Sequence, residues 1–139
     1  MNESEIKKIE ASLGFSLPEF YKSTMLIYPF PTDSFADEFL LPNNSLTIIE
    51  YNQPPCEHTD IGQPFVLGSD GGEELYFIDV SSGLSQVFVF DIETGEHNLK
   101  AKNWQDYLSI IEADSKNIAQ EEKTEKERKS KKRGWEFWK

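Results

Sequence analysis

A glycine-rich loop, Gly68-Ser69-Asp70-Gly71-Gly72, is the part of the sequence whose residue types most directly suggest chemistry. Such loops bind phosphate when their backbone N–H groups open a helix and a lysine or arginine stands beside them. Here the glycines lead into a predicted strand and are followed by Glu73 and Glu74, whose charges repel phosphate. The loop is therefore predicted to be a tight turn or bulge between two strands, with a partner-contact loop as the alternative.

A thiol and an imidazole stand two residues apart at Cys56 and His58, near Asp60. Nucleophilic catalysis requires a base within hydrogen-bond reach and a group that orients it, and a zinc site requires four ligands. The chain offers one cysteine, His58, the distant His97 and carboxylates. An ordinary loop is the preferred interpretation, so we predict no catalytic residue and no metal ligand here.

Several carboxylates of the predicted strands and turns could gather at one edge of a sheet and bind Ca²⁺, which prefers oxygen ligands. They are Asp70, Glu73, Glu74, Asp79 and Asp91. Their spacing does not match an EF-hand loop. A solvated surface or an acidic docking face is the favoured interpretation, and no cofactor is predicted.

The net charge of −11 is unevenly distributed along the chain. Residues 1–115 have five basic and 20 acidic residues, a net charge of −15, whereas residues 116–139 have a net charge of +4. A surface of this sign repels nucleic acid and anionic lipid and attracts cationic proteins, whose association it accelerates. We therefore predict a protein partner and no nucleic acid, although solubility alone would also explain the acidic composition.

The length of 139 residues fits one compact domain with a single core. No stretch approaches the roughly 20 apolar residues of a membrane-spanning helix, and the first residues lack the basic and apolar regions of a signal peptide. Cys56 is the only cysteine, so no intrachain disulfide can form. These features predict a protein of the cytoplasm.

Helical periodicity opens the chain and closes the predicted domain. Asn2 is a candidate N-cap for a first helix that Gly14 stops, and a second helix starts at Leu17-Pro18 and runs to Pro29. The two are predicted to form a hairpin. A last helix starts near Asn103, with Trp104, Tyr107, Leu108 and Ile111 on one face.

Strand patterns occupy the middle of the sequence. The β-branched segment Leu46–Tyr51 is predicted to be the first strand, and Phe65–Gly68, Glu74–Val80 and Gln86–Ile92 are predicted to follow as an antiparallel meander. Both faces of these strands carry apolar side chains, so the sheet should be covered on both sides. The expected fold class is α+β, a largely antiparallel sheet flanked by an N-terminal helical hairpin and a C-terminal helix.

Two segments do not fit this pattern. Residues 29–42 form an unassigned loop with an acidic and aromatic character, in which Asp33, Phe35, Asp37 and Glu38 stand out. Residues 116–139 are a charged tail, partly helical or flexible, that closes with a basic and aromatic cluster. The tail has three interpretations: a membrane-surface anchor, a segment that folds back on the acidic body, or an ordered element that packs its tryptophans. Fold-back or partner contact is favoured over membrane binding.

Four pieces in this order resemble the SUKH superfamily, which includes fungal cell-wall assembly regulators and bacterial toxin-immunity proteins, over most of residues 3–113. The pieces are Ile6-x-x-Ile9-Glu10-x-x-Leu13-Gly14-Phe15-x-Leu17-Pro18-x-x-Tyr21-Lys22, then Leu67-Gly68-Ser69-Asp70-Gly71-Gly72-Glu73-Glu74-Leu75-Tyr76-Phe77, then Val87-Phe88-Val89-Phe90-Asp91 with Thr94-Gly95-Glu96, and Trp104-x-x-Tyr107-Leu108. The resemblance implies the α+β fold, assigned here to residues 1–115, and the absence of enzymatic activity.

The resemblance also implies a role, that of an inhibitor of a cognate toxin, often a nuclease. An acidic body suits this role because nucleases carry basic substrate-binding surfaces. The predicted contact residues are Asp70, Gly71, Gly72, Glu73 and Glu74, with Asp33, Phe35, Asp37 and Glu38. A regulatory module that binds an endogenous protein is the first alternative, and a small-molecule or metal-binding domain is the second.

Overall fold

Two short helices open the computed structural model, which describes residues 1–53 and 62–116. Helix α1 spans Glu3–Leu13, and the side chain of Asn2 caps it by accepting the N–H of Glu5 at 2.9 Å. Gly14 ends it with a φ of 82°, as predicted. Helix α2 spans Glu19–Leu26 and so ends before Pro29, where the sequence pattern had placed its end.

The segment predicted to be the first strand is a helix instead. Helix α3 spans Ser45–Tyr51, because the side chain of Asn44 accepts the N–H groups of Leu46 and Thr47 and so caps a helical turn. The helix buries Ser45 and Ile48 on one face. Its β-branched residues suggested a strand, but the cap and the helical spacing of the buried positions decide the structure.

The sheet has four antiparallel strands in the order β1-β2-β3-β4. They are β1 (Pro64–Ser69), β2 (Glu74–Asp79), β3 (Val87–Asp91) and β4 (His97–Ala101). The first three confirm the predicted meander. Strand β4 was not predicted from the sequence, and only Ala101 of its five residues is buried.

Apolar side chains cover both faces of the sheet, as the alternation predicted. Phe65 and Tyr76 point into the main core, which α1, α2 and α3 also line. Val66, Phe77 and Phe90 form a second buried cluster on the opposite face. The sheet therefore separates two apolar layers, and the α+β fold class is confirmed.

The last described helix, α4 (104–116), joins the sheet to the N-terminal helices. The Asn103 side chain accepts the N–H of Asp106 at 2.9 Å, as expected of an N-cap. The Trp104 indole donates to Thr24 Oγ1 of α2 at 2.8 Å, and Tyr107 Oη donates to the Leu40 carbonyl at 2.9 Å. Trp104 and Tyr107 thus fix α4 to two separate parts of the core.

One buried hydroxyl has no hydrogen-bond partner within the described residues, that of Tyr21. Its ring is fully buried and packs edge-on against Phe65, with centroids 5.1 Å apart. Because an unpaired buried hydroxyl destabilises the folded state, we expect Tyr21→Phe to raise the free energy of unfolding by about 1 kcal/mol, measured by urea denaturation. Tyr107→Phe is the matched control, and it should lower stability by about 1 kcal/mol because its hydroxyl is paired. Equal effects of the two substitutions would contradict this assignment.

The predictions for Cys56, His58 and Asp60, and those for the tail beyond Lys116, fall outside the described residues. Within residues 1–53 and 62–116, no helix combines the length and hydropathy that crossing a bilayer requires.

Candidate protein-binding surface

A π-helix, Ala36–Leu40, organises the acidic loop that the sequence left unassigned. The carboxylate of Asp37 accepts the N–H of Asp33 at 2.9 Å and the N–H of Asn43 at 3.1 Å. Asp33 has a φ of 62° and is exposed. Asp37 therefore positions the loop, whereas Asp33 and Glu38 present their carboxylates to solvent.

The glycine-rich loop is the turn between β1 and β2, as predicted. Asp70 Oδ1 accepts the N–H groups of Gly72 and Glu74 at 2.8 and 3.1 Å. Gly71 has a φ of 83°, in the left-handed region that favours glycine, and its N–H donates to Ser69 Oγ. One oxygen of Asp70 thus stabilises the turn, so this residue has a structural role besides any contact with a partner.

The structure brings these two loops together, although about 30 residues separate them in the sequence. A Cβ atom on Gly71 would lie 3.4 to 3.5 Å from the Phe39 ring, so this ring rests against the turn. Gly68 lies directly beneath the Phe39 and Leu40 carbonyls. Phe35 packs on Phe39 with ring centroids 5.1 Å apart. The two predicted contact segments therefore form one surface with an aromatic centre.

Three carboxylates crowd together next to the turn. An oxygen from each of Glu73, Asp91 and Glu93 lies within 4.8 Å of the other two. A hydrogen bond with Glu93 raises the pKa of Glu73, and slight burial and the charges of Asp91 and Asp70 raise it further. The neighbouring carboxylates thus make the charged form of Glu73 less favourable than it is in water. A cation placed here would relieve the repulsion.

The acidic face is defined here as Glu38, Asp70, Glu73, Asp91 and Glu93. Of the five carboxylates predicted as a possible Ca²⁺ site, Asp70, Glu73 and Asp91 belong to this face. Asp79 does not, because it lies at the other end of β2 and accepts the N–H of Gln63. Glu93 was not among the residues predicted from the sequence. Calcium takes about six to eight oxygen ligands, whereas three clustered carboxylates equally suit the ammonium or guanidinium groups of a protein.

No lysine or arginine occurs in the sequence between Lys22 and Lys100, although this stretch contains 13 aspartates and glutamates. All residues of the acidic face come from this stretch. Its carboxylates therefore have no neighbouring cation from their own elements. This gap in basic residues can be recognised from the sequence and could have indicated the surface. The surface can attract a cationic partner, and its Phe35 and Phe39 rings supply apolar contact area.

Comparison with known proteins gives one match. The model of the SMI1 / KNR4 family (SUKH-1) matches residues 1–110, which include every helix and strand described above except the end of α4. No curated protein and no solved structure matches the chain.

Proposed function

Since the chain belongs to the SMI1 / KNR4 family (SUKH-1), whose members are of the toxin-immunity or cell-wall-regulator type, we propose that it is a non-enzymatic immunity protein that neutralises a cognate toxin of the nuclease type. The toxin would be bound through the acidic face and would be blocked in the cell that produces it. The observation that carries this proposal is the joining of two acidic loops around Phe39 and Gly71 into one surface.

The charge of the surface supports a nuclease as the target. A nuclease must bind phosphate, so its substrate-binding surface is basic. An acidic inhibitor that covers this surface occupies the place of the nucleic acid and is attracted by the same charges. Glu93 and Asp91 raise the pKa of Glu73. A lysine or arginine of the toxin placed among these three carboxylates would lower that pKa again.

The aromatic centre supports tight binding as well as fast association. Phe35 and Phe39 are half-buried, and Glu38 between them in the sequence is exposed. The Phe39 ring rests against Gly71, two residues before the exposed Glu73. Interfaces of high affinity have apolar or aromatic anchors surrounded by a polar rim, and a few central residues contribute most of the affinity. Two phenylalanine rings in the same two loops as the carboxylates support such an interface here.

We expect the charge of the acidic face, and not the total charge of the protein, to determine the rate of association with the toxin. The triple variant Glu38→Gln, Glu73→Gln and Glu93→Gln should associate with a basic toxin domain about tenfold more slowly at low salt, and with a weaker salt dependence. The toxin domain to use is the one encoded beside this gene, and stopped-flow or biosensor measurements give the rate. Among the described residues, no backbone N–H donates to any of these three carboxylates, so the fold should be retained.

The matched control removes the same three charges elsewhere. Glu3, Glu19 and Glu50 are exposed residues of α1, α2 and α3, and their triple glutamine variant has the same net charge. It should associate at nearly the wild-type rate and still protect cells that express the toxin. Equal rates for the two triple variants would show that the acidic face is not the docking surface, and failure of the wild-type chain to protect such cells would contradict the immunity role.

A further inference from the structure

A groove of about 530 Å³ lies between α4 and the segment that follows α2. Pro29, Phe30 and Pro31 form one wall, and Leu108, Ser109 and Glu112 form part of the other. Its size is within the range of about 300 to 1,000 Å³ that is typical of binding clefts. The prolines, Phe30 and Leu108 make it largely apolar, so it is suited to an apolar occupant.

The described part of the chain ends in this groove, because Lys116 also lines it. The sequence continues for 23 residues, with Lys131-Lys132-Arg133 followed closely by Trp135, Phe137 and Trp138. This segment therefore joins three basic residues to three aromatic residues. Nothing in the SUKH-1 match, which ends at residue 110, accounts for it.

We propose that the groove binds the aromatic segment Trp135–Trp138 of the same chain, with the basic residues Lys131–Arg133 near the exposed Asp33 beside one wall. A flexible linker of 18 residues, the number between Lys116 and Trp135, would span roughly 21 to 25 Å root-mean-square, enough to return to any part of a groove that starts at Lys116. A tether of this length gives an effective concentration of about 1 mM or more, so a modest intrinsic affinity suffices.

The charges of the chain favour this occupant. Glu112 and Lys116 both line the groove and pair with each other at 3.0 Å, whereas the exposed Asp33 directly precedes Ser34 of the other wall. Residues 117–139 have a net charge of +3, opposite to the −15 of residues 1–115. A tryptophan side chain that enters the groove is accompanied by cations that Asp33 and the acidic body attract.

Docking would also reach the acidic loop, since Ser34 and Asp33 belong to the segment that leads into the π-helix. The basic residues Lys131–Arg133 would then neutralise part of the surface next to Glu38. The binding of the segment in the groove does not depend on the proposed function, and it is tested here without any partner.

The test uses the full chain and the fluorescence of its three tryptophans. Ser109→Arg places a large cation in the groove wall, where the exposed serine donates to the Gln105 carbonyl of its own helix at 3.1 Å. We expect this variant to raise the acrylamide quenching constant about twofold, because Trp135 and Trp138 leave an apolar site while the buried Trp104 stays shielded. Ser12→Arg, an exposed site on α1, is the matched control and should quench as the wild type does.

Two further variants assign the signal. In chains that carry Trp135→Phe and Trp138→Phe, Trp104 is the one remaining tryptophan. Their acrylamide quenching constant should then be the same whether residue 109 is serine or arginine. The proposal is wrong if Ser109→Arg and the wild type quench alike with all tryptophans present, or if Trp135 and Trp138 are as accessible in the wild type as a free tryptophan derivative. Quenching that changes with protein concentration would assign the groove to the segment of a second copy and would also overturn docking within one chain.

Discussion

Asn52→Ala is expected to lower the free energy of unfolding by about 3 to 5 kcal/mol, a large share of the roughly 5 to 15 kcal/mol that stabilises a typical domain. The Asn52 side chain is buried and makes three hydrogen bonds to backbone. It donates to the Ile48 carbonyl at 2.9 Å and to the Val66 carbonyl at 3.0 Å, and it accepts the Val66 N–H at 2.8 Å. Urea denaturation measures the loss as a shift of the midpoint.

The size of this effect follows from the position of Val66 in the sheet. Strand β1 is at one end of the strand order, so the N–H and C=O of Val66 that face away from β2 have no strand beside them within the described residues. The amide of Asn52 takes the place of that strand. Removing it leaves two buried backbone groups of Val66 unpaired, and each costs about 1 to 3 kcal/mol.

Two controls separate hydrogen bonding from packing. Asn52→Asp keeps the shape and the acceptor for the Val66 N–H, but it places a carboxylate oxygen against two carbonyls, so we expect a loss at least as large as that of alanine. Asn98→Ala, at an exposed position of β4, should change stability by less than about 0.5 kcal/mol. A loss below about 1 kcal/mol for both Asn52 variants would show that β1 does not depend on this amide.

Local patterns were sufficient to predict several elements. The N-cap at Asn2 and the stop at Gly14 act within one helical turn, so the sequence alone defines α1. The strands β1 to β3 were predicted from apolar alternation and intervening turns, which are also local signals. The same reasoning failed at residues 45–51, where β-branched residues suggested a strand and the Asn44 cap instead produced a helix.

Other features depend on contacts between distant residues. Strand β4 lacks apolar alternation, and its pairing with β3, not its own composition, makes it a strand. The candidate surface was predicted as two separate loops, because neither loop's sequence indicates that Phe39 packs on Gly71. Glu93 was missed for the same reason, since its proximity to Glu73 arises only when β2 and β3 pair.

Gly68→Ala is expected to lower the free energy of unfolding by about 3 kcal/mol or more, because a Cβ atom at this position would overlap with backbone and not with a mobile side chain. The added carbon would lie 2.5 Å from the Leu40 carbonyl oxygen and closer still to that of Phe39. Either β1 or the π-helix must move. The Leu40 carbonyl cannot move without loss, since it accepts the buried Tyr107 hydroxyl at 2.9 Å.

The matched control is Gly72→Ala, four residues further along the same loop. The nearest atoms to its added Cβ are those of the Asp70 side chain at 3.5 Å, an ordinary contact, so stability should change by less than about 0.5 kcal/mol. Thermal and urea unfolding of the two variants give the comparison. If Gly68→Ala is as stable as Gly72→Ala, the segment with Phe39 can move away from β1 at little cost. The acidic face would then not be one preorganised surface, and Glu38 would dock independently of Glu73 and Glu93.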